Sequence, residues 1–403
     1  MNNIVVLFAS DLFRGGVAFS ASKLSTLLTE KGFSTAVVTY ENLPVRYFAK
    51  TALGTSTLNC PYSRTSHKGA LKQFFVRSMR YPYVLVAAWR FSRALAALER
   101  SSRNSEKLTV VAFTHAPIVA ASFVKLFRPS RIRLIVSERQ DPSKDLRNRL
   151  LRGILSWAYS NADLIHVNSP ALPEILKREF GVTNTKTTLV PNVIEAASAD
   201  TLAKTSMSLR QGIEKRQIRA IAIGRLAPQK ALYLAPYILA HLQREGFQIS
   251  LDIVGDGDPQ IIQEIAENAA SLGISENVRF IGEHKDFRDK LGNYNLGLFL
   301  SNWESFGNVL GEYLAAGIIT IASSTEAGLI NYLTDGQHCL KIPIVGRENA
   351  AVSSEPMLAA QRLADLFNNE EKALKLRAQA LQAAEQFSAE KHAARFSEIL
   401  FAS

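Results

Sequence analysis

Cysteine is nearly absent from this chain: 403 residues carry two, Cys60 and Cys339, far apart in sequence. Two isolated thiols give no disulfide framework, and the usage fits a reducing compartment. Long apolar runs are lacking too. No stretch reaches the roughly 18 uncharged apolar residues that mark a spanning helix, and the nearest approach, 84–98, contains Arg90 and Arg93. The opening MNNIVVLFAS has a short apolar run but no basic leader and no cleavage-type end, so it reads as a first β-strand. The seven histidines are scattered without ligand spacing, and no metal or other cofactor is expected. No Gly-x-Gly-x-x-Gly fingerprint occurs, either at Gly15-Gly16 or at Gly255-Asp-Gly257.

Acidic residues are scarce in one half only. Residues 1–200 hold 27 Lys and Arg against 13 Asp and Glu, whereas 201–403 hold 20 against 23. The densest stretch, 64–103, has nine basic residues and one acid, Glu99, interleaved with Phe74, Phe75, Tyr81, Tyr83, Trp89 and Phe91. Basic heads on aromatic and aliphatic bodies suit an anionic membrane surface. The alternative is a helix that packs on its own domain and carries charge for solubility. A nucleic-acid partner is the least supported of the three and is not expected.

What is present is an alternation. Apolar content is 47% and charged content 21%, and 403 residues exceed one ordinary core, so two globular domains are expected. Residues 4–9, 35–39, 108–113, 133–137 and 163–167 read as strands, with 18–31, 118–127 and 146–160 as helices between them. Strands at 220–223, 250–254, 278–281, 296–300 and 318–322 repeat the pattern. Such alternation makes an α/β chain with parallel sheets covered by helices. The irregular stretch 41–83 reads as a variable excursion. The domains are placed at 1–192 and 218–386, with a polar linker at 193–217 and a terminal helix at 387–403.

Two segments carry candidate chemistry. In WESFGNVLGEYLAAG, 303–317, Glu304 follows an apolar strand and Glu312 lies in the next helix, with Gly307, Asn308 and Val309 at that helix's start. A helix N-terminus offers unpaired amides and partial positive charge to a phosphate. Acids on either side suit a ligand with hydroxyls at both ends, the shape of a nucleotide-sugar. In IAIGRLAPQK, 221–230, Gly224 ends a strand and Arg225 and Lys230 flank a short loop where a diphosphate can sit. Two solvated loop charges are the plainer alternative.

The ordered set GRLAPQK, LDIVGDGDP, VRFIGEH and WESFGNVLGEYLAAG resembles the C-terminal domain of glycosyltransferase family 4. The resemblance covers nearly the whole chain and is sharper after residue 190. It implies two Rossmann-like domains facing a central cleft, the glycosyltransferase B fold, with a terminal helix crossing back to the first domain. It also implies retaining, metal-independent sugar transfer. Arg225 and Lys230 would neutralise the leaving diphosphate, and Glu304 would stand beside the donor sugar. Glu312 would accept the ribose hydroxyls, and Phe306 and Gly307 would give backbone donors to the sugar. Glu283 and His284 would lie near the base, and Gly15 and Gly16 near the donor phosphates.

On the acceptor side the chain departs from the family. Where a histidine is common, RLIVSERQDP places Glu138 and Arg139. Glu138, Arg139 and Asp141 are candidates to orient an acceptor or its pyrophosphate, with a structural ion pair as the alternative. His115, at the end of another strand, is a further candidate, whereas His166 reads as core. In AGLINYL, 327–333, Ala327 and Asn331 replace a Gly-Gly and a glutamate. The implied partners are a nucleotide-sugar donor, UDP-linked by expectation, and a glycan or polyprenyl-pyrophosphate-linked acceptor of surface-polysaccharide assembly. The implied location is the cytoplasmic face of a membrane. A nucleotide-sugar epimerase or hydrolase, or a non-catalytic nucleotide-sugar or glycan binder, are the rivals.

Overall fold

The computed structural model describes residues 4–10, 12, 15–41, 50–60, 80–102, 108–146, 148–284 and 287–401. Two units make up the chain: Met1–Asn192 with Glu390–Ser403, and Val193–Ala389.

In the first unit the strands are β1 (Ile4–Ala9), β2 (Ser34–Thr39), β3 (Thr55–Thr57), β4 (Leu108–Phe113), β5 (Ile132–Glu138), β6 (Leu164–Val167) and β7 (Thr187–Leu189). They form one parallel sheet in the order β3-β2-β1-β4-β5-β6-β7. A parallel sheet is covered on both faces, so its strands are apolar throughout instead of alternating. In β1, Ile4, Val6 and Phe8 enter one core while Val5, Leu7 and Ala9 enter the other. The first core is closed by α2 (Arg80–Ser102), α3 (His115–Phe127), α5 (Arg149–Ser160) and α6 (Leu172–Phe180). The second is closed by α1 (Gly15–Glu30) and the terminal helix α14 (Ala389–Phe401). Arg133 ties α14 down by donating to the carbonyls of Leu400 (2.5 Å) and Ile399 (2.9 Å), groups that a helix end leaves unsatisfied.

The helix expected over 146–160 starts at Arg149, and a separate short helix precedes the expected range. Asp141 caps the short α4 (Pro142–Asp145), and Asn148 caps α5 by accepting from the Leu150 amide at 2.8 Å. Of the excursion at 41–83 and the basic stretch at 64–103, residues 42–49, 61–79 and 103 lie outside the described residues. The rest of the basic stretch is α2.

In the second unit the strands are β8 (Gln217–Ile223), β9 (Gln248–Val254), β10 (Val278–Gly282), β11 (Leu296–Phe299), β12 (Ile319–Ser323) and β13 (Leu340–Ile342). They too are parallel, in the order β10-β9-β8-β11-β12-β13. The helices are α7 (Ala199–Glu214), α8 (Ala235–Arg244), α9 (Pro259–Ser271), α10 (Phe287–Lys290), α11 (Asn308–Ala316), α12 (Glu355–Phe367) and α13 (Glu370–Glu385).

The stretch 193–217 differs from the linker expected there. It contains α7, whose buried face is Thr201, Thr205, Ser208, Leu209 and Gly212. Those positions recur at helical spacing but, Leu209 apart, are small or hydroxylated, so no apolar stripe marks them. Asn295 occupies the hollow at Gly212, where an added Cβ would lie 2.1 Å from its Nδ2. The three-residue strands β3, β7 and β13 were likewise not expected, because each is too short to show a period.

Candidate functional site

In a doubly wound sheet, ligands bind outside the strand C-termini where the winding reverses. In the second unit that point lies between β8 and β11, neighbours in the sheet but far apart in sequence. Both candidate segments leave the sheet there. Beyond β8 come Gly224, Arg225 and the loop to Lys230. Beyond β11 come Ser301 to Gly307 and the start of α11.

The two loops are fastened together. The Asn302 amide donates to the Gln229 carbonyl at 2.8 Å, and the Gln229 side chain donates to the Trp303 carbonyl at 2.9 Å. Lys230 Nζ pairs with Glu304 Oε1, which also accepts from Ser301 Oγ at 2.9 Å. The pair is mostly enclosed, with side-chain exposures of 20% for Lys230 and 12% for Glu304. Arg225 is exposed and makes no ion pair among the described residues. Gly307 caps α11 at φ +84°, and an added Cβ would lie 2.6 Å from Phe299 Cζ, so close packing and backbone sign both call for glycine. Being glycine, the cap residue itself brings no side chain to this helix start. The buried Phe306 accepts from the Leu329 amide at 2.6 Å, joining a third loop to the site.

Glu312 lies in the second turn of α11. Its Oε1 accepts from Arg288 Nε at 3.0 Å and Nη2 at 2.6 Å, while Arg288 Nη1 reaches Glu195 Oε2 at 2.8 Å. Burial raises the Glu312 pKa, and Arg288 pulls against that rise. A cavity of about 190 Å³ opens beside β8, β9 and β10, lined in part by Asp252, His284, Phe287, Lys290 and Tyr294. Lys290 Nζ donates to His284 Nε2 at 2.7 Å. Glu283, the residue before it, is exposed. Asp252 accepts Arg279 through both carboxylate oxygens and the Tyr294 hydroxyl at 2.7 Å.

Gly224, Arg225, Lys230, Glu304, Phe306, Gly307, Asn308, Val309 and Glu312 therefore gather at one end of the second sheet, with His284 on the adjoining cavity. Gly15, Gly16, His115, Glu138, Arg139 and Asp141 belong to the first unit. Gly15 and Gly16 open α1 after β1, and His115 opens α3 after β4. Those strands are the first unit's own reversal point, where Ser10 Oγ meets Thr114 Oγ1 at 2.6 Å.

Glu138, Arg139 and Asp141 are all buried at the end of β5. Asp141 takes the Ser143 amide at 2.9 Å, and Glu138 takes its neighbour's amide at 3.0 Å and the Tyr159 hydroxyl at 2.6 Å. Arg139 has no carboxylate partner among the described residues. Its Nε donates to Ser137 Oγ (3.0 Å) and its Nη1 to Asn192 Oδ1 (2.8 Å), and burial lowers its pKa to about 9. His166 is fully buried between Ser137 Oγ and the Val190 carbonyl. Arg288 and Glu195 carry no sequence signal: they lie 24 and 117 residues from Glu312, and only folding joins them.

A family model described as Glycosyltransferase Family 4 matches residues 14–198, and one described as Glycosyl transferases group 1 matches 217–358. The Campylobacter jejuni N-acetylgalactosamine-N,N'-diacetylbacillosaminyl-diphospho-undecaprenol 4-alpha-N-acetylgalactosaminyltransferase is 24% identical over 275 residues, 67% of this chain and 72% of that protein. The lipopolysaccharide core biosynthesis glycosyltransferase LpsE of Rhizobium meliloti is 26% identical over 211 residues, 51% of this chain and 56% of that one. Matches to curated relatives thus span from about half (51%) to 72% of the relative's length. Among solved structures, Anabaena Alr3699/HepE in complex with UDP and glucose superposes with TM-score 0.72 at 16% identity, covering 98% of this chain and 99% of that one. Its likeness shows the same two-sheet glycosyltransferase B fold. With both halves matched in chain order and the four motifs set around one strand-end site, the chain belongs to glycosyltransferase family 4.

Proposed function

We propose that this protein transfers a sugar from a nucleotide-sugar, with retention of anomeric configuration, to a lipid-linked or glycan acceptor in surface-polysaccharide assembly. The Lys230–Glu304 pair at the β8–β11 reversal point, beside the Gly307 start of α11, carries this reading. As the glycosidic bond breaks, the diphosphate gains negative charge and the anomeric carbon becomes cation-like. Lys230, Arg225 and the amides at Gly307, Asn308 and Val309 would take up the first charge, so the reading needs no metal. Glu304 would stabilise the second and bind a sugar hydroxyl. Glu312 would accept the ribose hydroxyls, with the base towards His284. The neighbour solved with UDP and glucose supports a UDP donor in this reading, and relatives named for a diphospho-undecaprenol substrate and for lipopolysaccharide core biosynthesis support the acceptor class.

The test is a thermal-shift panel with UDP, GDP, ADP and CDP, followed by transfer assays with the nucleotide-sugars that match. A ligand that binds only the folded state at a hundredfold excess over Kd adds about 2.7 kcal/mol of stability. A shift confined to one nucleotide supports the donor site; no shift with any of them removes it. Donor consumed without acceptor would instead mean hydrolysis or epimerisation.

Peripheral attachment to the cytoplasmic face of a membrane is part of the same proposal. No helix among the described residues is long and apolar enough to cross one. On α2, Leu85 and Trp89 are 57% and 58% exposed, and the Arg93 guanidinium lies 5.0 Å from the Trp89 ring centre. These positions share one face at i, i+4 and i+8. Arg90 instead points inward, donating to the Leu58 carbonyl at 2.6 Å. Trp89→Ala with Arg93→Glu should weaken binding to anionic vesicles, and unchanged sedimentation would remove the attachment from the proposal.

A further inference from the structure

The Arg288 fork sits on Glu312 in an uneven way. A guanidinium and a carboxylate ordinarily pair as two parallel bonds, one to each oxygen. Here both nitrogens converge on Oε1, and the buried Oε2 has no hydrogen-bond partner among the described residues. A buried carboxylate oxygen left without a donor is costly, so the arrangement suits a donor supplied from outside the chain. Arg288 cannot swing freely to cover both oxygens, because its Nη1 is held by Glu195. It also belongs to α10, whose Phe287 and Lys290 line the cavity. One short turn thus forms a cavity wall and grips the carboxylate.

We propose that Arg288, braced by Glu195, is a positioning residue for the nucleotide: it holds Glu312 by Oε1 and leaves Oε2 directed to a ribose hydroxyl. This rests on the reading above that Glu312 takes the ribose. The charged groups facing Glu312 are Arg288 and Glu195, and the hydroxyl of its neighbour Tyr313 also feels it. Burial and Glu195 favour the protonated acid; Arg288 alone opposes them. Without Arg288, Glu312 takes up a proton at a higher pH and ceases to be a pure acceptor.

The experiment is calorimetric titration of UDP and 2′,3′-dideoxy-UDP into the full chain and its R288M and R288K variants, from about pH 6 to about pH 8.5. The wild type should favour UDP by roughly tenfold or more at every pH, as expected for a hydrogen bond to a charged group. R288M should lose most of that preference at the acid end and recover it as pH rises. R288K, which keeps a cation without the fork, should lose about threefold with no pH trend. A wild type that does not distinguish the two ligands refutes the ribose role of Glu312 itself. A wild-type preference retained by R288M at all pH values overturns the role of Arg288, as does a loss that ignores pH. Should R288M not fold, R288K decides: an undiminished preference overturns the proposal.

Discussion

The two units share an architecture and differ in what stands at its active end. Each is a parallel sheet with one reversal point, β1–β4 in the first and β8–β11 in the second. At the second, opposite charges meet with part of each side chain still in water, as Lys230–Glu304. At the first, two hydroxyls meet, Ser10 and Thr114. The first unit's buried charge lies on the next strand, β5, where Arg139 has no carboxylate partner among the described residues and stands near the neutral-leaning His166 and His392. Topology sets where a ligand can sit, and the side chains at the strand ends set what it can be.

The sharpest way to break the comparison is at Glu304. Glu304→Ala should lower transfer about a thousandfold, the scale of losing one preorganised electrostatic group, while UDP affinity in a titration changes little. A second break is in the second sheet's scaffold. Gly255 has φ +144°, and an added Cβ would lie 1.9 Å from the Gly224 carbonyl oxygen. Gly255→Ala should therefore cost on the order of 3 kcal/mol in chemical unfolding, in the range of a special-backbone lesion.

The first unit should be the acid-labile one. His392 is buried against the Pro191 carbonyl at 2.7 Å, and burial, aided by Arg139, lowers its pKa to about 4. The unfolded histidine takes a proton near pH 6.5. Between those values the unfolded state binds more protons, so stability falls as pH drops from about 6.5 to about 4, by roughly 3 kcal/mol in all. His392→Gln should flatten that slope in unfolding followed against pH, whatever it does to stability at neutral pH.

The smallest expected effect sharpens the division of labour. Arg139→Leu should lower transfer about tenfold, a charge-assisted contact's worth, through the acceptor's KM with UDP affinity unchanged. Equal losses for donor and acceptor would place Arg139 in neither role.

Much of this was readable beforehand where the signal is local. IVVLFA announces a strand buried on both faces. Asn-Val-Leu-Gly-Glu-Tyr after Gly307 announces a helix start with an acid one turn in. Glu138 and Asp141 read as candidates because they are charged at a strand end, yet the described contacts of Asp141 are those of a helix cap. The helix α7 hid behind threonine, serine and glycine, since small buried residues look polar in sequence. The helix expected from 146 starts three residues later because the Asn148 side chain caps it, a local bond that no apolar period records.

By itself, the sequence determined the order of strands and helices, the two-domain division of charge and the residue types available to hold a nucleotide-sugar. Periodicity and composition act over neighbouring residues, so a linear reading can see them. Tertiary structure alone decided that Lys230 meets Glu304 across 74 residues, that Arg139 lies buried against Ser137 and Asn192, and that Arg288 joins Glu195 to Glu312. Such pairings arise when strands distant in the chain become neighbours in a sheet, and no local period records them.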